Sequence, residues 1–158
     1  MARNEIFVDA SPNDVFDVLS DAARYASWVV GAREIRAADP SWPAPGAALA
    51  HKVGRPPLAV ADETVVLHAR RPVRLELCAR ARPLPSARVT LDLQPERDGT
   101  RVTMVEDIAS APLNALAGPL IHAAIRARNR ESLRRLKALA EQPGAHAVSA
   151  PPLAIGSV

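Results

Sequence analysis

The chain has 158 residues, a net charge of +3 and 48% hydrophobic residues, a composition that fits one globular domain with a core of its own. A single cysteine, Cys78, excludes an intrachain disulfide and a cysteine-rich zinc site. No apolar run resembles a signal peptide or is long enough to span a bilayer, so we expect a cytoplasmic protein without integral membrane association. Because aromatic residues make up only 3%, any cavity would have mostly aliphatic walls.

The first elements are predicted to be a strand and two short helices. Residues 4–10 alternate between polar and apolar side chains, as a half-buried strand does. Ser11 and Pro12 then supply an N-cap and a proline at the first helical position, with the acidic Asp14 two residues further on. A second helical piece is predicted over residues 21–28 and a strand over 32–38. The proline-rich segment 39–46 is predicted to be a surface loop that carries Trp42.

The next strand places a histidine on its apolar side. Leu49, His51 and Val53 share one face, so His51 is predicted to point towards the core if Leu49 does. The following extended segment, 60–69, has an ambiguous phase because two valines are adjacent at 65 and 66. If Val65 and Leu67 form the inner pair, Glu63 also points inwards.

Two later strands are predicted to form a hairpin that places a carboxylate on the face turned towards the core. Residues 96–99, Glu-Arg-Asp-Gly, form a turn whose Asp-Gly pair suits a residue with positive φ. Closing the hairpin over this turn pairs residue 93 with 102, 91 with 104, and Val89 with Glu106. Glu106 therefore lies on an otherwise aliphatic surface, where an ionised carboxylate needs a partner, a proton or water.

A long amphipathic helix is predicted near the C-terminus. Ser110 and Pro112 can start a helical segment, and Gly118-Pro119 should kink or split it, so that the main helix begins there. One side of this helix is apolar and the other basic, and the apolar side consists of Ile121, Ile125, Leu133, Leu136 and Ala140. We expect one domain over residues 1–141 and a flexible Ala/Pro-rich tail over 142–158.

The order of these elements implies an α+β fold in which a curved antiparallel sheet grips the C-terminal helix. With residues 6–12 leading into 15–19, and 99–104 leading to 130–137, it resembles the START-like helix-grip superfamily. More narrowly, it resembles the polyketide cyclase/dehydrase and lipid-transport-like (SRPBCC-type) subgroup. The resemblance implies a deep apolar cavity between the sheet and the last helix, which the superfamily uses for lipids, polyketides, plant hormones, quinones or aromatic substrates. It transfers no catalytic residue to this chain.

The candidate residues follow from the predicted faces and from the place of the cavity. His51 and Glu106 are the candidate catalytic residues, since together they could exchange protons with a ligand. The alternative for Glu106 is a solvated position or a pair with an arginine of the helix. The predicted ligand-binding set is Trp28, Trp42, His51, Glu63, Leu75, Leu91, Met104, Glu106, Leu120 and Ile121. We expect no metal, because His51, Glu63 and Glu106 lack ligand spacing, and no cofactor.

Three functions are compatible with this sequence. The first is the binding of a hydrophobic or aromatic small molecule of the lipid, polyketide or quinone class. The second is a cyclase or dehydratase reaction that uses His51 and Glu106 as acid and base. The third is a chaperone or a protein or membrane interaction module that uses the basic helix face. Nucleic acid is not an expected partner, because the basic residues lack accompanying stacking aromatics. The sequence does not indicate the ligand's identity or the oligomeric state.

Overall fold

The computed structural model describes residues 1–54, 60–80, 86–108 and 118–142. The strands are β1 (Ala2–Val8), β2 (Ala32–Ala38), β3 (Ala48–Val53), β4 (Val60–Arg70), β5 (Arg74–Arg80), β6 (Ala87–Glu96) and β7 (Gly99–Ile108). The helices are α1 (Pro12–Ser20), α2 (Tyr25–Trp28) and α3 (Gly118–Ala140), and a 3-10 turn (Ala22–Arg24) precedes α2.

The seven strands form one antiparallel sheet in the order β1-β7-β6-β5-β4-β3-β2. Its edges are β1 and β2, so the sheet curves but does not close into a barrel. The long helix α3 packs against β1, β7 and the two short helices α1 and α2. This arrangement confirms the predicted helix-grip fold.

The short helix α1 begins where the sequence predicts. The side chain of Ser11 accepts a hydrogen bond from the Asp14 backbone N–H at 3.2 Å, and the Asp14 carboxylate accepts one from the Ser11 N–H at 3.2 Å. This reciprocal capping box satisfies two backbone donors at the start of the helix. The buried side of α1, which includes Phe16 and Leu19, is thereby held against the core.

The predicted hairpin register is confirmed, with Leu93 opposite Val102, Leu91 opposite Met104 and Val89 opposite Glu106. The role of the turn glycine differs from the prediction. Positive φ occurs at Arg97, at 52°, whereas Gly99 is required for close approach. A Cβ on Gly99 would lie 2.3 Å from the carbonyl oxygen of Val8 in the neighbouring strand.

The predicted inner pair of β4 is wrong. Asp62, Thr64 and Val66 are buried, while Glu63 and Leu67 are exposed. A register shift between Val66 and His68 interrupts the alternation, as a β-bulge does. Even-numbered residues of β4 point inwards before the shift, and the alternation changes after it.

The concave side of the sheet is filled at one end and hollow at the other. The filled end, which we call the closed end, consists of fully buried leucines from β5, β6, α1 and α3: Leu19, Leu75, Leu91, Leu93, Leu133 and Leu136. Within the described residues, α3 runs from Gly118 to Ala140. The predicted helix start at Ser110 and Pro112 and the predicted tail from 143 onwards lie outside the described residues.

Candidate functional site

A cavity of about 370 Å³ lies between the sheet and the first half of α3. This volume is in the range of small-molecule sites in proteins. Most of its wall is aliphatic, from Val29, Val30, Ala32, Val53, Leu77, Ala79, Ala87, Val89, Met104, Ile108 and Ile125. The other lining residues are aromatic or polar: Tyr25, Trp28, His51, Asp62, Glu106, Arg128, Asn129 and Ser132.

The first polar group of the cavity is a buried histidine beside a buried aspartate. His51 and Asp62 are directly opposite each other on β3 and β4, so both side chains point to the concave face. Nε2 of His51 lies 3.4 Å from Oδ2 of Asp62, and the two side chains are 2% and 6% exposed. The carboxylate favours a proton on Nε2, which in a neutral imidazole leaves a lone pair on Nδ1. Nδ1 has no hydrogen-bond partner among the described residues.

Tyr25 supports this histidine from the side of α2. Its hydroxyl lies 3.0 Å from Oγ1 of Thr64, and its ring centroid is 5.1 Å from that of His51. Burial raises the pKa of Tyr25 to about 12, and the neighbouring Asp62 carboxylate acts in the same direction. The phenol therefore keeps its proton at physiological pH and packs against His51 as a neutral group.

Trp28 supplies a second polar atom without a partner. It is 2% exposed, and its ring centroid lies 5.5 Å from that of Tyr25 in an edge-on arrangement. The indole Nε1 is buried and has no hydrogen-bond acceptor among the described residues. Indole nitrogen is a donor only, and this one is buried away from the open space of the cavity.

The second polar group joins the sheet to α3. Glu106 on β7 is 5% exposed, and its Oε2 accepts hydrogen bonds from Nη2 of Arg128 and, at 2.8 Å, from Nδ2 of Asn129. Arg128 is 44% exposed and reaches this carboxylate from the helix surface. The alternative that Glu106 pairs with an arginine of the helix is therefore confirmed.

The two candidate catalytic residues, His51 and Glu106, are not bonded to each other. His51 and Glu106 both line the cavity, but His51 contacts Asp62 whereas Glu106 is bonded to Arg128 and Asn129. Within the described part of the chain they form no hydrogen bond or ion pair with each other. An acid/base pair composed of these two side chains is not present.

Of the predicted ligand-binding residues, Trp28, His51, Met104 and Glu106 line the cavity. Trp42 does not: it is buried behind Tyr25, and its Nε1 donates a hydrogen bond to the Leu19 carbonyl at 3.2 Å. Leu75 and Leu91 belong to the closed end, and Leu120 is 83% exposed.

The two remaining predicted positions are Glu63 and Ile121. Glu63 is exposed on β4, so the set of His51, Glu63 and Glu106 cannot gather around a metal. The side chain of Ile121 lies outside the described residues. In the described ranges, no three His, Cys, Asp or Glu side chains are grouped as a metal site requires.

The lining residues with polar side chains that the predicted ligand-binding set lacks are Tyr25, Asp62, Arg128, Asn129 and Ser132. Asp62 was hidden by the wrong phase of β4. Asn129 had a signal, because it interrupts a series of apolar residues spaced four apart on α3, between Ile125 and Leu133. A polar residue at the centre of an apolar helix face indicates a buried hydrogen-bond partner, which here is Glu106.

The outer face of α3 remains basic and exposed, with Arg126, Arg130 and Arg134 at the surface. Over the residues that the structure covers, no helix has the length and apolar character needed to cross a bilayer. An interaction role for this face stays a prediction.

Comparison with known proteins supports the architecture. A family model described as polyketide cyclase/dehydrase and lipid transport matches residues 2–141. No curated protein matches the chain. A crystal structure of a Chromobacterium violaceum protein is 19% identical with a TM-score of 0.69, and the match covers 89% of this chain and 97% of that one.

Two other solved structures come from biosynthetic systems. One is a protein in the dynemicin biosynthetic locus, at 19% identity and a TM-score of 0.63, with 87% of this chain and 46% of that one covered. The other is the di-domain ARO/CYC protein of the steffimycin biosynthetic pathway, at 16% identity and a TM-score of 0.67, with coverages of 88% and 49%. The chain thus spans about half the length of each of these two proteins, and at these identities the likeness concerns the fold.

Proposed function

The chain belongs to the polyketide cyclase/dehydrase and lipid transport family, and from this premise we propose that it binds a hydrophobic or aromatic small molecule in the cavity under α3. The observation that carries the proposal is the composition of the wall. Aliphatic side chains of the sheet and α3 enclose a space of about 370 Å³ in which only a few polar groups interrupt the surface. An apolar ligand there gains about 25 cal/mol for each Å² that it removes from water.

A cavity-filling substitution tests this proposal. Ala79 and Ala87 are cross-strand partners, and both line the cavity. In Ala79→Trp the indole occupies space that a ligand needs, so we expect the affinity for the neutral fluorescent probe phenylnaphthylamine to fall at least about tenfold, on the order of the loss of one well-packed contact group. The measurement is a titration of probe emission, together with native mass spectrometry after incubation with lipid, quinone and polyketide extracts.

The matched control is Ala61→Trp, which adds the same side chain at an exposed position of β4. It should bind the probe as the unaltered protein does. Equal binding by Ala79→Trp, once circular dichroism shows that it is folded, would place the probe outside the cavity and contradict the proposal.

A second candidate function is proton transfer, which the contact of His51 with Asp62 favours. The neutral imidazole of His51 could take a proton from a carbon beside a ligand carbonyl, which leaves an enolate on the ligand and an imidazolium on His51. The Asp62 carboxylate would stabilise that imidazolium. Glu106 has no role in this step, because its Oε2 is bonded to Arg128 and Asn129.

Deuterium exchange measures this activity directly. We expect the protein to speed exchange at the carbon beside the carbonyl of α-tetralone in D₂O by about 10²-fold or more, the usual contribution of a positioned base. His51→Gln should lose this acceleration, whereas His68→Gln, at an exposed histidine of β4, should keep it. The same exchange rate with unaltered protein and with His51→Gln would exclude proton transfer by His51.

A further inference from the structure

We propose that Glu106 is the polar anchor of the ligand, and that its Oε1 accepts a hydrogen bond from a hydroxyl of an otherwise apolar molecule in the cavity. This inference rests on the proposed function, because it assigns a group of the ligand to one atom of the cavity wall. It selects alcohols and phenols over hydrocarbons, ethers and anions of the same shape.

The two oxygens of the Glu106 carboxylate have different surroundings. Oε2 accepts hydrogen bonds from Nη2 of Arg128 and, at 2.8 Å, from Nδ2 of Asn129. Oε1 accepts none from the described residues, yet it is not one of the buried atoms without a partner, which on the cavity wall belong to His51 and Trp28. Oε1 therefore keeps accessible surface of its own. Because Glu106 lines the cavity, a ligand there can reach this oxygen.

Arg128 and Asn129 hold the carboxylate in this orientation. They are consecutive on α3, and Nε of Arg128 donates to Oδ1 of Asn129 at 3.4 Å, so the two donors to Oε2 also support each other. Glu106 is 5% exposed and Asn129 is 3% exposed. Turning the carboxylate plane would break the bonds to Oε2 inside this enclosed space. The acceptor is thus positioned before a ligand binds, which lowers the cost of binding.

An anchored acceptor of this kind discriminates between ligands. A molecule that covers Oε1 takes this oxygen away from water. A hydroxyl replaces the lost bond with a hydrogen bond to a charged acceptor, whereas a carbon atom or an ether oxygen leaves the carboxylate oxygen unpaired. Since most of the remaining wall is aliphatic, the molecule that matches it is an apolar body with a hydroxyl. Sites built in this way reject analogues that lack the hydroxyl.

The charges of the wall disfavour an anion. Among the charged lining residues that the structure describes, Asp62 and Glu106 are negative and Arg128 is positive, which sums to −1 when His51 is neutral. Arg128 already donates to Glu106. A carboxylate or phosphate beside Oε1 would meet a like charge, and it would have to take the arginine from its partner, which leaves a buried charge unpaired.

Three naphthalene probes of similar size test the class of ligand by calorimetric titration of the full-length protein at neutral pH. They are 2-naphthol, its methyl ether 2-methoxynaphthalene, and the anion 2-naphthoate. Because the ether cannot donate to Oε1, we expect the naphthol to bind about tenfold more tightly than the ether, as one hydrogen bond to a charged acceptor predicts. The naphthoate should bind most weakly.

Glu106→Gln assigns the preference to Oε1. The donors of Arg128 and Asn129 keep the amide oxygen at the position of Oε2, so the amide nitrogen replaces Oε1 and donates a hydrogen bond. The oxygen of either uncharged probe can accept that bond, so naphthol and ether should bind about equally. Asp107→Asn makes the same chemical change at the next residue of β7, which is exposed, and it should keep the tenfold preference.

Equal binding of naphthol and ether by the unaltered protein, or tightest binding of naphthoate, would overturn the inference. So would a folded Glu106→Gln that keeps the preference; if this variant does not fold, Glu106→Leu/Arg128→Met provides the same test. Phenylnaphthylamine separates this failure from that of the proposed function. A protein that binds phenylnaphthylamine without preferring naphthol has a ligand cavity in which Glu106 is no anchor, and one that binds none of the four compounds overturns both.

Discussion

Arg128→Met is expected to lower the free energy of unfolding by about 2 kcal/mol, although Arg128 is partly exposed. The reason lies in its partner. Glu106 is only 5% exposed, and without the guanidinium it keeps the hydrogen bond from Asn129 but loses its counter-charge. The partial exposure of the arginine and the remaining amide bond place the cost below that of a fully buried pair. Urea denaturation followed by circular dichroism measures the change.

The double variant Glu106→Leu/Arg128→Met gives the decisive comparison. Because it removes both charges, it should recover most of the lost stability and unfold within about 1 kcal/mol of the unaltered protein. Arg126→Met, an exposed arginine on the same helix, is the matched control and should change the stability by less than about 0.5 kcal/mol. Two additive losses in the double variant would show that the two residues stabilise the fold independently.

This pair also determines what the cavity offers to a ligand. The hydrogen bond from Arg128 fixes Glu106 at the junction between β7 and α3 and leaves the arginine less able to hold an anion. Among the residues that line the cavity, the buried side-chain atoms without a hydrogen-bond partner in the described part of the chain are on His51 and Trp28. A carboxylate that looks like a catalytic group from the sequence is therefore better explained as a link between the two walls of the cavity.

The elements that could be predicted from the sequence are those with strong local signals. The capping residues Ser11 and Asp14 determine where α1 begins. The alternation of β6 and β7 across a short turn fixes their register, so the position of Glu106 was correct. In both cases neighbouring residues contain enough information to select one arrangement.

The polar residues of the site were harder to predict because tertiary contacts decide them. On β4 the inward residue is Asp62 and not Glu63, and the adjacent valines at 65 and 66 leave this phase undecided in the sequence. Trp42 stands in a proline-rich segment typical of a surface loop, but its ring packs behind Tyr25. Its indole Nε1 donates a hydrogen bond to the carbonyl of Leu19, which is distant in sequence.

The largest loss of stability is expected for Leu136→Ala, at about 3–4 kcal/mol. Leu136 is 0% exposed and lies on α3 at the closed end, where truncation leaves a new void among well-packed leucines. Ile125 lies on the same helix but borders the existing cavity. Ile125→Ala should cost about 1 kcal/mol, because it enlarges a space already present and removes a side chain that is only half-buried.

The comparison of these two variants by denaturant unfolding tests whether α3 is an anchor at one end and a cavity wall at the other. The first half of α3 can border an unfilled space, because the closed end supplies the packing that holds the helix on the sheet. Ile125→Ala should change the affinity for phenylnaphthylamine and leave the fold nearly as stable. Leu136→Ala should lower the stability and leave the affinity of the folded protein unchanged. If Ile125→Ala and Leu136→Ala lowered the stability equally, the two ends of α3 would be equally well packed. That result would contradict the prediction.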